Sequence, residues 1–118
     1  MAQHNETGKE GEEMAVLHLI KNGYNIIARN FRYKNSEIDI IAQKDKTIAF
    51  VEVKTRTTTF FQKPELSVTR SKQKQITLGA NFYIQENDID LDTRFDIVAI
   101  TLSPFRLNHI EDAFYPLV

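Results

Sequence analysis

The chain has 118 residues, of which 42% are hydrophobic and 26% charged, with a net charge of -1 and no cysteine. This length suits one domain, spanning residues 1–118, with a single hydrophobic core. The absence of cysteine excludes disulfides and thiolate metal sites. The sequence has no apolar run of ~18 residues and no basic start, so we expect no transmembrane helix and no signal peptide, and infer a cytoplasmic protein.

Charge is unevenly distributed along the chain. Residues 21–34 contain no acid, and residues 54–80 contain a single acid, Glu65, among their basic residues. Separated basic patches attract a polyanion even when the net charge is near zero. They are equally typical of solvated surfaces, and both interpretations stay open.

The first predicted element is a helix from Thr7 to about Lys21. Thr7 and Glu10 have the spacing of a capping box, and Gly23 suits the C-terminal cap. Glu12 precedes the apolar stripe of this helix and should point toward the protein body. That stripe consists of Ala15, Val16, Leu19 and Ile20.

The remaining segments alternate between strand and helix patterns. The order α-β-β-β-α-β-β predicts an α/β fold, in which a central mixed sheet is flanked by helices. A long connection ending at Pro64 precedes the second helix, and we expect it to be mobile, with Phe60 and Phe61 anchoring it or forming a dimer contact. The predicted elements are strands at 24–33, 37–43 and 47–55, a helix at 69–87, and strands at 94–102 and 106–114.

The segment "NSEIDIIAQKDKTIAFVEVKTR" predicts a hairpin with charges on its strands. A two-residue turn at Asp45-Lys46 would place Asp39 opposite Glu52 and Glu37 opposite Lys54. Because side chains alternate with period two, all four charged groups should converge on one face. The apolar residues that should fill the other face are Ile38, Ile40, Val51 and Val53.

Two carboxylates so close together repel each other and require compensation. A proton on one carboxylate, pairing with Lys54, or a divalent cation would each supply it. Mg²⁺ and Mn²⁺ favour carboxylate and carbonyl oxygens and retain several waters. Asp39, Glu52 and the backbone carbonyl of Val53 meet that description, with Glu12 contributing from the helix. Lys54 would then assist an attacking water in phosphodiester hydrolysis.

Other residues carry weaker signals. Arg56 and the hydroxyls near it are suited to a DNA backbone or to a polar loop. Lys72 shares the apolar face of the second helix and either contacts a phosphate or is solvated. Arg94 and Asp96 are expected to form a structural ion pair. The three histidines have no metal-ligand spacing and receive no site.

Asp39 followed by Glu52-Val53-Lys54 resembles the D…(D/E)-x-K motif of the restriction-endonuclease-like PD-(D/E)xK nucleases. The surrounding sequence, including "SVTRSKQKQITLGANFYI", "RFDIVAI" and "LNHIEDAF", is similar to the YraN-like family of bacterial proteins across nearly the whole chain. The resemblance implies a restriction-endonuclease-like fold close to Holliday-junction resolvases. It implies catalytic roles for Asp39, Glu52, Lys54 and Glu12. Ser36 departs from the family, which usually has Gly there.

The resemblance also implies a supporting role for Glu37, as a partner of Lys54 or a further ligand. Our first hypothesis is a Mg²⁺- or Mn²⁺-dependent endonuclease that acts on DNA, structured or branched by analogy, and works as a homodimer. The second keeps the fold as a non-catalytic module that binds nucleic acid or protein. The third is an adaptor whose charged face binds no metal.

Overall fold

Two helices and five strands form the protein, in the predicted order. The computed structural model describes the backbone of residues 2–7 and all of residues 8–57 and 68–115. Across this part of the chain, neither helix has the length and apolar character that a membrane span requires. The elements are α1 (Ala2–Lys21), β1 (Asn25–Tyr33), β2 (Ser36–Lys44), β3 (Thr47–Arg56), α2 (Arg70–Glu86), β4 (Asp92–Leu102) and β5 (Phe105–Ile110).

The five strands form one mixed sheet in the order β1-β2-β3-β4-β5. Strands β3 and β4 are parallel, while every other neighbouring pair is antiparallel. Parallel neighbours require a crossover connection, and helix α2 lies within the segment that joins β3 to β4. The predicted mixed α/β fold is therefore confirmed.

Each face of the sheet carries one helix and one hydrophobic cluster. Ala15, Val16 and Leu19 of α1 pack with Val51 and Val98 on one face. On the other face, the α2 cluster includes Ile41, Phe50, Ile76, Ala80 and Phe95. Two helices therefore cover a sheet whose central strands are apolar on both sides.

Helix α1 begins five residues earlier than predicted, so Thr7 lies inside the helix and is not its N-cap. A capping box is a local signal, and the polar residues before it are compatible with a helix. The prediction for its end is confirmed, since Gly23 has a φ of 90°. The apolar stripe is correct except at Ile20, which is 53% exposed.

Helix α2 matches its prediction closely. The Thr69 side chain caps its start by accepting a hydrogen bond from Lys72 N–H, and Asn87 caps its end. Strand β5 ends at Ile110, four residues earlier than predicted. The chain turns there, with Asp112 at a φ of 51°. The backbone N–H of Ala113 then donates to the Phe95 carbonyl.

The predicted hairpin register is confirmed from the turn to the pair Ile40 and Val51. Asp45 has a φ of 54° in this turn. Among the described residues, the β2–β3 pairing extends no further than Ile40, so Asp39 and Glu52 are not ladder partners. Ile38 was predicted to share a face with Ile40, but it packs in the α2 cluster. The long connection, with Phe60, Phe61 and Pro64, lies outside the described residues.

Candidate active site

The candidate site begins where strands β2 and β3 stop pairing. Asp39 Oδ2 accepts a hydrogen bond from the backbone N–H of Val53 at 2.8 Å. The carboxylate thus takes the place of a strand carbonyl as the partner of this amide. This bond fixes Asp39 beside the strand that carries Glu52, and the two carboxyl groups come within hydrogen-bonding reach of each other.

The pairing of β1 with β2 is interrupted opposite Asp39. Arg29 pairs with Ile40 and Phe31 with Ile38, which leaves Asn30 and Asp39 between them. Asn30 has a φ of 52°, a left-handed conformation that asparagine tolerates better than most residues. Its side chain forms a hydrogen bond with Glu12 of α1. We did not predict this residue, because a single asparagine within an alternating strand is only a weak signal of a left-handed backbone conformation.

The strand separation opens into a cleft of about 510 Å³ between the first half of α1 and the first half of α2. It brings together the predicted Glu12, Glu37, Asp39, Glu52, Val53, Lys54 and Lys72. The other residues that line it are Gly8, Asn35, Thr55, Gln75 and Ile76.

Glu52 is the most buried acid of the cleft, with 6% of its surface exposed. Its Oε1 lies 3.0 Å from Lys72 Nζ of α2. Its Oε2 is buried and has no hydrogen-bond partner among the described residues. Lys72 therefore belongs to the site, and its ammonium contacts a carboxylate, whereas we had predicted a phosphate contact or a solvated side chain.

The pKa of Asp39 is strongly raised. Burial is the main cause, and together with the neighbouring Glu52 carboxylate it raises the pKa of Asp39 to about 8. The Val53 N–H opposes this shift without cancelling it. At neutral pH, without a bound cation, the Asp39 carboxyl therefore retains a proton. This corresponds to the first of the three forms of compensation considered from the sequence.

The pKa values of the two lysines of the cleft shift in opposite directions. Burial, and then the Lys72 ammonium, lower the pKa of Lys54, although Glu52 and Asp39 oppose the change. For Lys72, burial alone would lower the pKa, but the attraction of Glu52 outweighs it and the pKa is raised. Lys54 is thus the amine that gives up its proton more readily, while Lys72 stays charged.

Glu12 and Glu37 lie on the cleft wall in different settings. Burial raises the pKa of Glu12 despite the nearby Arg29, and its Oε1 is buried without a hydrogen-bond partner in the part of the chain that the structure describes. This agrees with the prediction that Glu12 points toward the protein body. Glu37 is half exposed and lies 3.6 Å from Arg32, so its contact with that arginine is weak.

The donor atoms of the cleft suit a hard divalent cation. Glu12 Oε1 and Glu52 Oε2 are buried acceptors without partners, and carboxylate oxygens are preferred ligands of Mg²⁺ and Mn²⁺. However, within the described ranges no three side chains of the His, Cys, Asp and Glu types are grouped as a ready-made metal site. An ion that retains several waters needs few direct protein ligands, so such an ion fits this arrangement.

Arg56 lies at the end of β3, where it pairs in the ladder with Thr101 of β4. It is half-buried, and its predicted contact with DNA stays a prediction.

Ser36, which departs from the family pattern, is accommodated by a glycine. Its side chain is buried against Gly79 of α2, where an added Cβ would overlap the Ser36 hydroxyl. The Ser36 hydroxyl has no hydrogen-bond partner. The absence of a side chain at Gly79 makes room for the one at position 36.

A second polar cluster lies on the α1 face. Asp96 is fully buried and accepts two hydrogen bonds from Arg94, at 2.8 and 2.9 Å. His109 Nε2 lies 2.8 Å from the same carboxylate, and the Asp112 backbone N–H donates to it at 3.2 Å. The predicted ion pair of Arg94 and Asp96 is confirmed. The sequence did not predict its partner His109.

Comparison with known protein sequences assigns the chain to a family. Residues 11–100 match the model of the family described as "Uncharacterised protein family UPF0102". The chain belongs to this family. The match spans α1 from Gly11 to Ile100 in β4, and so includes every acid and lysine of the cleft.

Individual relatives extend the similarity over nearly the whole chain. A UPF0102 protein of Flavobacterium psychrophilum is 44% identical over 117 residues, which cover 98% of both chains. Relatives from Phocaeicola vulgatus and Geobacter metallireducens are 44% and 43% identical over 118 residues, with 98% and 97% of both chains covered. The predicted membership in the YraN-like, UPF0102 family is confirmed.

Proposed function

We propose that this UPF0102 protein is a divalent-metal-dependent endonuclease that hydrolyses DNA phosphodiester bonds. One observation carries the proposal: Asp39 and Glu52 meet in an open cleft beside two lysines, and one buried oxygen of Glu52 lacks a partner within the described ranges. A buried acceptor without a partner is costly for a fold. A ligand that satisfies this oxygen would explain why it is retained.

Asp39, Glu52 and the Val53 carbonyl would hold the ion, and Glu12 would contact its waters from α1. When bound, Mg²⁺ or Mn²⁺ polarises a phosphate oxygen and lowers the pKa of a bound water. The Val53 N–H orients the Asp39 carboxylate. Lys54, whose pKa is lowered mainly by burial, is suited to accept or return a proton near the attacking water.

The substrate we propose is structured or branched DNA, by analogy with the resolvase-like nucleases that the motif resembles. Arg56 at the end of β3 would contact the DNA backbone. Glu37, on the cleft wall, would support Lys54. Cutting two strands symmetrically requires two sites, which a homodimer would supply.

A cleavage panel tests this proposal. Linear, nicked and four-way DNA are incubated with Mg²⁺ or Mn²⁺ and with wild type, Glu52→Gln or Lys54→Ala. We expect each substitution to lower the cleavage rate by at least about 100-fold, the scale of a positioned acid, base or charge. Glu86→Gln and Lys74→Ala, which change exposed residues of α2, serve as matched controls and should cleave like wild type. Activity that survives both active-site substitutions would come from a contaminant and would refute the proposal.

The alternative is a non-catalytic module with the same fold that binds nucleic acid or protein. The contact between Lys72 and Glu52 Oε1 favours it, because that oxygen is already neutralised without a metal ion. DNA binding by wild type, together with no cleavage of any of the three substrates, would support this alternative.

A further inference from the structure

Lys72 occupies the place in the cleft where a cation would meet Glu52. Its Nζ lies 3.0 Å from Glu52 Oε1, and its side chain is 39% exposed. We propose that Lys72 is a tethered counter-cation, which neutralises Glu52 while no metal is bound and is displaced toward the substrate phosphate when a divalent ion binds. This inference rests on the proposed function and assigns two successive positions to one side chain.

The first argument for displacement is the crowding of positive charge. The side chains of Lys54 and Lys72 already lie within hydrogen-bonding reach of each other. A divalent ion on the other oxygen of Glu52 would share one carboxylate with the Lys72 ammonium. Like charges at a separation of about 4 Å repel strongly even in the partly screened setting of a protein surface. One of the lysines therefore has to give up its proton or move.

The second argument concerns which lysine moves. Lys54 is carried by β3, which is hydrogen-bonded to β4 along its whole length. Lys72 belongs to the first turn of α2, and its side chain is partly exposed to solvent. A long lysine side chain can change rotamer with its backbone fixed. Lys72 is therefore the side chain that can leave Glu52 without any change in the sheet.

The third argument concerns the destination of the released ammonium. Gln75 follows Lys72 by one helical turn and also lines the cleft, so a displaced Lys72 stays beside the same space. An ammonium has three donors and no acceptor. The oxygens of a bound phosphodiester are acceptors that suit the displaced ammonium. The metal ion and the substrate would thus share one lysine as a switch between them.

Calorimetric titration with Mn²⁺ tests the displacement. Lys72→Met removes the competing ammonium, so we expect its Kd for Mn²⁺ to fall at least fivefold below that of wild type, a gain on the order of an ordinary coupling between sites. Lys74→Met, which changes an exposed lysine of the same helix, should bind Mn²⁺ like wild type. Lys72→Arg retains the positive charge and should also stay near wild type, and it keeps the test valid if Lys72→Met folds poorly.

A DNA-binding titration tests the second position of Lys72. With Ca²⁺ in place of Mg²⁺, to limit cleavage, the affinity of Lys72→Met for DNA should fall more than that of Lys74→Met. The slope of the logarithm of DNA affinity against the logarithm of salt concentration should also decrease by the amount of about one phosphate contact. Equal losses in the two variants would refute the phosphate contact.

The outcomes separate this inference from the proposed function. If wild type binds Mn²⁺ no better than Asp39→Ala, both are refuted. If wild type binds Mn²⁺ and Lys72→Met binds it equally or more weakly, only the displacement is refuted. A higher affinity in Lys72→Met and in Lys72→Arg alike would also refute it, because the charge would then not be the cause.

Discussion

Glu52 and Asp96 are two buried acids on neighbouring strands that differ in how they are satisfied. Asp96 accepts from Arg94 and from a backbone amide and lies in contact with His109. Glu52 contacts the Lys72 ammonium with one oxygen, while its other oxygen has no partner among the residues that the structure describes. A carboxylate that serves stability is surrounded by donors, whereas one with an unpartnered oxygen in an open cleft is available for a ligand.

The titrations of the two regions differ in the same sense. Burial alone would raise the pKa of Asp96, but His109 and Arg94 outweigh it and the pKa is lowered. Asp96 thus stabilises the fold above its ordinary pKa of 3.8, and this contribution is lost as the pH falls below that value. Asp39 has a raised pKa, so its region loses stability as the pH increases from its ordinary pKa of 3.8 to about 8.

The largest loss of stability is expected for Asp96→Asn, which removes the charge at the centre of the cluster formed with Arg94 and His109. Arg94 would lose its buried partner, and breaking such a pair costs about 3–5 kcal/mol of unfolding free energy. Urea unfolding at pH 7 measures this loss. Glu111→Gln changes an exposed partner of the same arginine and should cost less than about 1 kcal/mol. Equal effects of the two substitutions would contradict the distinction between the two regions.

A smaller effect on stability, and of opposite sign, is expected for Asp39→Asn. Wild type should lose stability relative to this variant as the pH rises, by up to about 1.4 kcal/mol per pH unit between pH 4 and 8. Because the cleft is open to water, we expect roughly half of that slope, or about 2 kcal/mol between pH 5 and 8. Urea unfolding of both proteins across this range, without divalent ions, measures the difference. A pH-independent difference would show that Asp39 is not protonated in the folded protein.

The smallest expected effect concerns α1, which borders both regions. A Cβ on Gly11 would overlap the Thr55 hydroxyl and lie 2.9 Å from Thr55 Cβ, whereas a Cβ on Gly8 would meet no described atom within 4 Å. Gly11→Ala should therefore lose about 1–2 kcal/mol through overpacking. Gly8→Ala should gain about 0.5–1 kcal/mol, because alanine favours a helix. Thermal unfolding compares the two, and a gain in both would mean that α1 does not pack closely on β3.

Much of the fold follows from local sequence patterns. The hairpin register was predictable because the strands alternate regularly and a two-residue turn separates them, as the pairing of Ile40 with Val51 confirms. Helix α2 was predictable because Thr69 and Asn87 supply caps at both ends. Helix α1 was placed too late because an internal Thr-x-x-Glu spacing resembles a start signal.

The candidate site was predictable in its residues but not in its contacts. Asp39, Glu52 and Lys54 have a motif spacing, and all of them line the cleft. The contact of Lys72 with Glu52 depends on how α2 packs on the sheet, which no local pattern encodes. The same holds for His18 and His109. His18 Nε2 lies 3.3 Å from His109 Nδ1, although 91 positions separate the two residues in the chain. Such contacts arise from tertiary packing, and a single sequence provides no signal for them.

The register of the parallel strands places Asp96 opposite Val51, the residue that precedes Glu52. A mutational screen that records only lost activity would consequently flag Arg94, Asp96 and His109 together with the residues of the cleft. Their Arg-Asp-His grouping would also invite confusion with catalytic machinery. Measuring the amount of folded protein beside the turnover of every variant would separate the two groups.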